Sequence, residues 1–372
     1  MDRKNCHDFE KSRFMRILHL ITTIDRGGAE KQLLTLVKEQ VKNGDLVSVY
    51  YLKGKGELRP EFESLSVEVR GETNTFHSLS RFFRALGDSR KFDLIHAHLP
   101  AAELVSSFFH RSLPLVVSRH NTQRFLEKNK VISLFMSRVV ESQSNACIAI
   151  SNSVREYLLK TSEWKDASSL TIVPYAIEKS NDQLNPKRNR NNNCRFLFIG
   201  RLTKQKDVET LLKAFAIHIE GFSQDSLTIV GDGELKFELQ VMSEQLKIED
   251  RITWVGRVNE VDSYFQRHDV FVLPSKYEGF GLVLLECMVN NRPIIAANNS
   301  AIPEVIGQNH PGLFKTGDVS ELASLMAKFR NRDFSKLVNS IQRTRLESFV
   351  PSRMALQIKD IYKSALSSKI LH

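Results

Sequence analysis

Residues 273–286 read LPSKYEGFGLVLLE, and this stretch decides the fold expected for the chain. An apolar run ends in a Pro-Ser turn, the carboxylate of Glu278 follows, and Gly-Phe-Gly then leads into an apolar helical segment that carries Glu286. A strand, a glycine-containing turn and a helix in this order are typical of a βαβ unit on a parallel sheet. The spacing of the two glutamates predicts positions about two helical turns apart on roughly one side of a helix.

Outside this stretch, short apolar runs alternate with helical patterns in both halves of the chain. Ten runs have the character of strands: Ile17–Ile21, Leu46–Leu52, Leu94–His96, Leu115–Ser118, Ile148–Ile150, Arg195–Ile199, Leu227–Val230, Ile252–Val255, Val270–Leu273 and Ile294–Ala297. Helical spacing of apolar residues after the sixth run, from Val208 to Ile219, predicts a helix with one apolar face. We therefore predict an α/β protein with two Rossmann-like, doubly wound parallel-sheet domains.

A polar segment near the middle of the chain is the best candidate for an interdomain linker. Residues 179–193 read KSNDQLNPKRNRNNN and offer almost nothing to bury. The predicted domains are residues 1–178 and 194–350, and a C-terminal helix within 351–372 is expected to pack back towards the first domain. The formal charges of 1–178, the linker and 194–372 are +5, +3 and +2, so the positive charge lies mainly in the first half.

Composition excludes several classes of protein. The chain has 372 residues, of which 41% are hydrophobic and 26% charged, as in ordinary globular domains. No apolar run approaches the ~18 residues that a membrane-spanning helix needs. The first sixteen residues carry too many charges for a signal peptide. The four cysteines form no C-x-x-C pair, which argues against a disulfide framework or a zinc knuckle. We expect a cytoplasmic protein. The net charge of +10 admits phosphorylated ligands or an anionic membrane, but no basic module with interleaved aromatics indicates nucleic acid.

Three further loops follow predicted strands, where doubly wound sheets bind their ligands. Gly27-Gly28 begins a helix, where bare backbone N–H groups suit a phosphate. Arg201 and Lys206 flank a glycine turn and form a plausible clamp for a diphosphate, and a Gly-Asp-Gly turn occupies 231–233. A plain turn or a solvated basic face would give the same patterns, so each loop alone is weak support.

The motif PSKYEGFGLVLLE resembles the E-x7-E signature of the retaining glycosyltransferases of family 4, which have the GT-B fold of two facing Rossmann-like domains. Further segments occur in the order of that family: RILHLITTIDRGGAEKQLL, FDLIHAHLP, VVSRHNT, IAIS, FLFIGRLTKQKDVETLLKAF, LTIVGDGEL and RPIIAANNSAIPEVI. The resemblance covers roughly residues 15–350 and is more specific in the second half.

The resemblance implies that the C-terminal domain binds a nucleotide-sugar donor and that the N-terminal domain binds the acceptor. The implied donor is a UDP-sugar carrying a hexose or N-acetylhexosamine, and the implied acceptor is a lipid-linked molecule or a saccharide. The site residues it implies are Glu278 for hydroxyls of the transferred sugar, Glu286 for the ribose, Gly279, Phe280 and Gly281 for the sugar and phosphates, Arg201 and Lys206 for the diphosphate, Gly28 for the phosphates across the cleft, and His120 near the reacting centre.

No Asp-x-Asp sequence occurs in the chain, so the usual carboxylate pair for a divalent cation is absent from the sequence. We expect transfer without a metal or other cofactor, the nucleotide sugar being a substrate. The diphosphate charge would then be met by Arg201, Lys206 and helix N-termini. The family is described as retaining the anomeric configuration by front-face attack.

The sequence departs from the family pattern at several places, among them Asp207, where a glycine usually follows the lysine, and 173–177, which read VPYAI instead of an Asn-Gly turn. These departures leave the identity of the sugar open.

Membrane binding and two other functions also remain open. The segments Phe76–Leu86 and Arg124–Val140 mix basic and apolar residues at helical spacing; they could rest on an anionic membrane or simply cover the sheet. The basic residues expected to contact the membrane are Arg81, Arg84, Lys128 and Lys130. A non-catalytic nucleotide-sugar-binding protein would share the donor loops, whereas a dinucleotide oxidoreductase would need a G-x-G-x-x-G turn that the first strand lacks.

Overall fold

A computed structural model describes residues 14–73, 91–110, 113–122, 124–126, 129–178 and 193–368. The N-terminal domain contains a parallel sheet of seven strands in the order β3-β2-β1-β4-β5-β6-β7. Its strands are β1 (Arg16–Ile21), β2 (Leu46–Tyr51), β3 (Glu68–Arg70), β4 (Leu94–His98), β5 (Leu115–Arg119), β6 (Ala146–Ala149) and β7 (Leu170–Ile172). Its described helices are α1 (Gly28–Lys42), α2 (Arg59–Glu63), α3 (Pro100–Phe109), α4 (Lys130–Gln143) and α5 (Asn152–Lys160).

The C-terminal domain contains a second parallel sheet, of six strands in the order β10-β9-β8-β11-β12-β13. Its strands are β8 (Arg195–Ile199), β9 (Ser226–Val230), β10 (Ile252–Gly256), β11 (Val270–Leu273), β12 (Ile294–Ala297) and β13 (Leu313–Phe314). Its helices are α6 (Val208–Gly221), α7 (Lys236–Gln245), α8 (Asp262–Arg267), α9 (Leu282–Val289), α10 (Ile302–Ile306), α11 (Val319–Phe329) and α12 (Arg332–Leu346).

The two sheets confirm the predicted fold class. All ten predicted strands occur, and the strand order of each sheet reverses between its first and fourth strands, at β1/β4 and at β8/β11. Ligands bind at such reversal points, beyond the carboxyl ends of the strands. Strands β3, β7 and β13 were not predicted from the sequence.

The last helix, α13 (Pro351–Ser368), lies on the N-terminal domain although it follows the C-terminal one. Met354, Ile358 and Tyr362 pack into a buried cluster with Ile17 of β1 and Leu94 of β4. The chain therefore crosses twice between the domains. Among the described residues no helix combines the length and the apolar character that crossing a bilayer requires.

Candidate active site

The loops at the carboxyl ends of both sheets line one cleft between the domains, with a volume of about 810 Å³. Every residue that the resemblance implies for donor binding or catalysis lines this cleft: Gly28, His120, Arg201, Lys206, Glu278, Gly279, Phe280, Gly281 and Glu286. The structure thus brings together loops that are as far as 258 positions apart in the sequence, Gly28 to Glu286.

The loop before α9 corrects the expectation that Glu278 and Glu286 share a helix. Helix α9 begins at Leu282, so Glu278 lies in the preceding loop and only Glu286 is helical. The reason is Gly281, whose φ of 86° lies in the left-handed region that a glycine adopts without strain. A Cβ at Gly279 would lie 2.9 Å from the backbone oxygen of His120, so this glycine permits close contact of the two domains.

Lys206 and Glu278 form a largely buried ion pair. The Lys206 Nζ lies 2.5 Å from the Glu278 Oε1, and the side chains are 13% and 7% exposed. The loop after β8 is held to the loop after β11 by further bonds, since Gln205 donates to the Tyr277 oxygen over 2.9 Å and accepts, through its backbone oxygen, from Lys276 N. Arg201 lines the same cleft but is exposed and has no ion-pair partner among the described residues.

Lys31 reaches across the cleft to Glu286, the second glutamate of the E-x7-E motif. The Lys31 Nζ lies 3.0 Å from the Glu286 Oε1, which links α1 of one domain to α9 of the other. Sequence reasoning missed Lys31. No local signal indicates it, because its partner Glu286 is 255 positions away in the sequence.

The cleft is rich in cations. Its lining includes five basic side chains, Arg26, Lys31, Arg201, Lys206 and Arg257, against three acidic ones, Asp232, Glu278 and Glu286. Such an excess in a concave site favours an anionic ligand.

Both ring nitrogens of His120 form hydrogen bonds within the protein. Nε2 lies 3.2 Å from the His98 Nδ1, and Nδ1 lies 2.6 Å from the Tyr175 hydroxyl. Burial lowers the pKa of His120 to about 3, so the ring is neutral at ordinary pH. A ligand could bond a His120 nitrogen only by displacing one of these partners, whereas the neighbouring Tyr175 also lines the cleft.

Glu30, one turn into α1 beside the glycine pair, is a buried carboxyl group with 8% exposure. Burial raises its pKa to about 7, although a hydrogen bond from its own backbone N–H acts in the opposite direction. A carboxyl group with this pKa exchanges its proton near neutral pH, at the edge of the cleft.

The departures from the family pattern have local explanations. Asp207 adopts a left-handed φ of 50°, which accounts for a glycine at this position in the pattern. Its carboxylate is stabilised there by the Thr210 hydroxyl at 2.8 Å and by Lys276 at 3.1 Å. Tyr175 places its ring against Phe280 of the E-x7-E loop, with 5.0 Å between ring centroids.

Glu304 joins the domains on the other side of the motif. Its carboxylate accepts hydrogen bonds from the backbone N–H groups of Asn152 and Ser153, each over 2.7 Å, at the start of α5. Ser151 also donates to the Gly279 oxygen over 2.7 Å. These bonds, together with Lys31–Glu286, hold the two cleft walls at contact distance.

Comparison with known proteins gives matches along most of the chain. A family model described as "Glycosyltransferase Family 4" matches residues 26–178, and one described as "Glycosyl transferases group 1" matches residues 180–346. An N-acetyl-D-galactosaminyltransferase of Campylobacter jejuni, whose name specifies a GalNAc-containing PP-undecaprenol, is 27% identical over 315 residues, which are 80% of this chain and 84% of that protein. An uncharacterized 41.2 kDa protein of the cps region of Klebsiella pneumoniae is 23% identical over 379 residues, covering 94% of this chain and all of that one.

Solved structures share the fold. HepE of Anabaena in complex with UDP and glucose superposes with a TM-score of 0.80 at 20% identity, over 94% of this chain and 100% of that one. The sucrose-phosphate synthase of Thermosynechococcus elongatus gives a TM-score of 0.77 at 18% identity, over 95% and 100%.

Proposed function

The chain belongs to the GT-B glycosyltransferases, and from this premise we propose that it transfers a hexose or N-acetylhexosamine from a UDP-sugar to a lipid-linked or saccharide acceptor, with retention of configuration. The observation that carries the proposal is the joint presence of the ion pair Lys206–Glu278 and the exposed Arg201 in one cleft with Glu286. Cations for a diphosphate and carboxylates for sugar and ribose hydroxyls then line the same cleft.

Each side chain has a part that its chemistry allows. Arg201 offers a planar fork and Lys206 a point charge to the diphosphate. Lys206 has three N–H donors, so it can keep its bond to Glu278 while it contacts a phosphate oxygen. Glu278 retains a second oxygen for a sugar hydroxyl, and the N–H groups at the start of α9, behind Gly281, face developing negative charge.

In the proposed reaction the acceptor oxygen bonds to the anomeric carbon while the bond from that carbon to the diphosphate oxygen breaks. UDP departs with the electron pair on the face that the acceptor enters, and its departing diphosphate oxygen takes up the proton that the acceptor hydroxyl loses. The protein acts by positioning the two substrates and by stabilising the leaving diphosphate. We propose that no metal takes part, because the sequence offers no Asp-x-Asp pair and Arg201 and Lys206 supply the positive charge.

A screen of UDP-, GDP- and ADP-sugars by thermal shift tests the donor. A donor at 100 times its Kd should stabilise the protein by ~2.7 kcal/mol. We expect a shift with one or more UDP-sugars and transfer that persists in EDTA. Absence of any shift with every nucleotide sugar would contradict the proposal, and loss of transfer in EDTA with rescue by magnesium would contradict its metal-independent form.

The proposed acceptor side includes an anionic membrane surface. Helix α4 buries two serines, Ser133 and Ser137, while Val131 is 79% and Phe135 67% exposed; nearer its end the helix buries Val140. It packs beside α3, whose Phe108 is 61% exposed. An ordinary amphipathic helix covering its sheet would bury the apolar residues instead. We call this exposed set, with Phe109, Leu126, Ile132 and Leu134, the α3–α4 patch.

Only one of the four basic residues predicted to contact the membrane lies among the described residues. Of the four predicted ones, Arg81, Arg84 and Lys128 lie outside the described residues, as does the segment Phe76–Leu86. Lys130 is exposed at the first residue of α4, next to the α3–α4 patch. Helix α4 begins at Lys130, so the helical segment predicted from Arg124 is shorter at its start. Arg124 lies before the helix, with its Nε 3.7 Å from the Glu163 Oε1.

Sedimentation with anionic vesicles tests the membrane proposal. The variant Phe108→Ser/Val131→Ser/Phe135→Ser should stay in the supernatant where the wild type pellets, because it removes the apolar side chains that would enter the headgroup region. Phe237→Ser is the matched control, since Phe237 is 76% exposed on α7 of the other domain. Equal pelleting of the triple variant and the wild type, or pelleting by neither, would favour a soluble acceptor.

A further inference from the structure

Three histidines connect the cleft wall, where His120 is half-buried, to the middle of the N-terminal domain, where His19 and His98 are buried. Beginning at Tyr175, the hydrogen-bonded atoms are Tyr175 Oη and His120 Nδ1 at 2.6 Å, His120 Nε2 and His98 Nδ1 at 3.2 Å, His98 Nε2 and His19 Nδ1 at 3.0 Å, and His19 Nε2 and Gln40 Oε1 at 2.9 Å. We call this series the histidine chain. It runs from a residue that lines the cleft to one on α1.

The parallel sheet produces this alignment. His19 on β1 and His98 on β4 lie on adjacent paired strands, and His120 directly follows β5, which pairs with β4. His19 and His98 are 0% and 2% exposed, so water does not compete for their nitrogens.

The protonation state of the three rings follows from their burial. Burial lowers the pKa of His19 to about 4 and that of His120 to about 3, and it lowers that of His98 well below its ordinary value. All three are therefore neutral near pH 7. A neutral imidazole has one N–H donor and one acceptor nitrogen, so the proton position on one ring dictates the proton position on the next.

Gln40 sets the direction of the histidine chain. Its Oε1 can only accept, so His19 donates from Nε2 and accepts at Nδ1. His98 then donates from Nε2 to His19, His120 donates from Nε2 to His98, and the Tyr175 hydroxyl donates to His120 Nδ1.

Tyr362 on α13 is the hydrogen-bond partner of the Gln40 amide nitrogen. The Gln40 Nε2 donates to the Tyr362 hydroxyl over 3.3 Å, and that hydroxyl lies 2.6 Å from the His96 Nδ1. His96 Nε2 in turn lies 2.7 Å from the Ser118 hydroxyl. One amide thus orients two hydrogen-bonded branches, and α13 contributes to both.

We propose that Gln40, acting through His19 and His98, holds His120 as the tautomer protonated on Nε2, and that the Tyr175 oxygen is thereby left to accept a hydrogen bond from a ligand hydroxyl. Gln40 is a positioning residue, since it touches no substrate. The ligand hydroxyl, on the sugar or the acceptor, rests on the proposed glycosyl transfer. An amide does not take up a proton at neutral pH, so the histidine chain orients groups and carries no net proton.

The position of Tyr175 makes this arrangement a property of this chain. Tyr175 stands in the segment that replaces the family's Asn-Gly turn. Its neighbour Ala176 is fixed by reciprocal bonds to Gln32, at 2.8 and 2.9 Å, so the tyrosine backbone is held in place independently of the histidines.

A metal ion is the competing explanation for part of the cluster. Nitrogens of His19, His96 and His98 lie within 4.8 Å of one another. A histidine that binds zinc must offer the metal a ring nitrogen that carries no proton. The hydrogen bonds named above also already use both nitrogens of each ring, which favours the hydrogen-bonded arrangement.

Nitrogen NMR of ¹⁵N-histidine-labelled full-length protein tests the proposal without any substrate. We expect His120 to show a protonated Nε2 and an unprotonated Nδ1 in the wild type. Gln40→Met should remove the acceptor that orients the chain, so the His120 signals should shift towards the other tautomer or a mixture. Ser118→Ala is the control, because it removes a bond of His96 outside the histidine chain, keeps the Gln40–His19 bond and should leave the His120 tautomer unchanged.

Kinetics supply the second measurement, with UDP as the binding probe. Tyr175→Phe and Gln40→Met should each lower turnover about tenfold while the Kd of UDP stays unchanged, since one hydrogen bond is lost away from the nucleotide. A wild-type His120 protonated on Nδ1, an unchanged tautomer in Gln40→Met, or stoichiometric zinc in the purified protein would overturn the proposal. The wild-type spectrum decides it even if Gln40→Met fails to fold, and no transfer activity is needed to read it.

Discussion

Removing Lys206 should destabilise the protein, whereas removing Arg201 should not, although both should reduce catalysis alike. Lys206→Ala leaves the Glu278 carboxylate, 7% exposed, without its partner at 2.5 Å. Breaking a buried pair in this way costs about 3–5 kcal/mol, which for a domain of this size lowers the melting temperature by roughly 6–20 °C. Arg201 is exposed, so Arg201→Ala should change stability by less than about 0.5 kcal/mol.

Catalysis should respond differently from stability. Each variant leaves the developing diphosphate charge short of one cation, at a cost of ~3 kcal/mol, or roughly a hundredfold in turnover. Adding Glu278→Gln to Lys206→Ala should restore most of the lost stability, because no buried charge is then unpaired, but it should restore no activity.

Thermal unfolding and turnover of the identified UDP-sugar, measured on the same preparations of Arg201→Ala, Lys206→Ala and the double variant, check this reasoning. If Lys206→Ala has the same melting temperature as the wild type, the buried ion pair does not stabilise the protein. If both single variants keep near-normal kcat/KM, the diphosphate clamp is wrong whatever the melting temperatures show.

Three further predictions follow from contacts in and beside the cleft. Glu286→Gln should raise the donor KM more than it lowers kcat, because ribose hydrogen bonds exist in the ground state as well as in the transition state; a pure loss of kcat would contradict the ribose assignment. Burial raises the pKa of Glu30 to about 7, so the stability that its protonated form gives is complete below the unfolded pKa of 4.5 and is lost as the pH rises through 7. In urea unfolding, Glu30→Gln should therefore match the wild type at about pH 4 and exceed it by up to about 3 kcal/mol at about pH 8.5. Equal unfolding curves at the higher pH would contradict this. Glu304→Ala removes the carboxylate that holds α5 to the other domain, so small-angle scattering should show a larger radius of gyration than for the wild type; an unchanged radius would mean that other contacts suffice to close the cleft.

Much of the fold could be predicted because the central strands are long apolar runs separated by helical patterns. The strands that were missed, β3, β7 and β13, have three, three and two residues and lie at the edges of their sheets. An edge strand is covered on fewer sides, so its sequence carries too few apolar positions to stand out. Glu68-Val69-Arg70 of β3, with one buried residue between two exposed charges, shows this directly.

The site could be predicted only as far as glycine turns and charges in loops allow. Lys31 and Glu286 are 255 positions apart, and nothing local in either segment indicates the other. Helix α4 shows a different limit. Its periodicity predicts two unlike faces, but the same periodicity results whether the apolar face points inward or outward, so only the structure reveals that Ser133 and Ser137 lie inside and Phe135 outside.

The pairing of cations with carboxylates in the cleft has a consequence for binding that the charges alone do not convey. A free lysine or arginine loses about 2 kcal/mol of side-chain entropy when a ligand immobilises it. Lys206 and Lys31 are already held at 2.5 Å and 3.0 Å by Glu278 and Glu286, so part of this cost is met on folding. A diphosphate that shares Lys206 with Glu278 then gains a positioned donor, and preorganisation of this kind increases affinity without any additional contact. Arg201 is exposed and is held by no such pair in the described structure, so the ligand itself must order this side chain. Arg201 should therefore strengthen the binding only of ligands that carry the diphosphate.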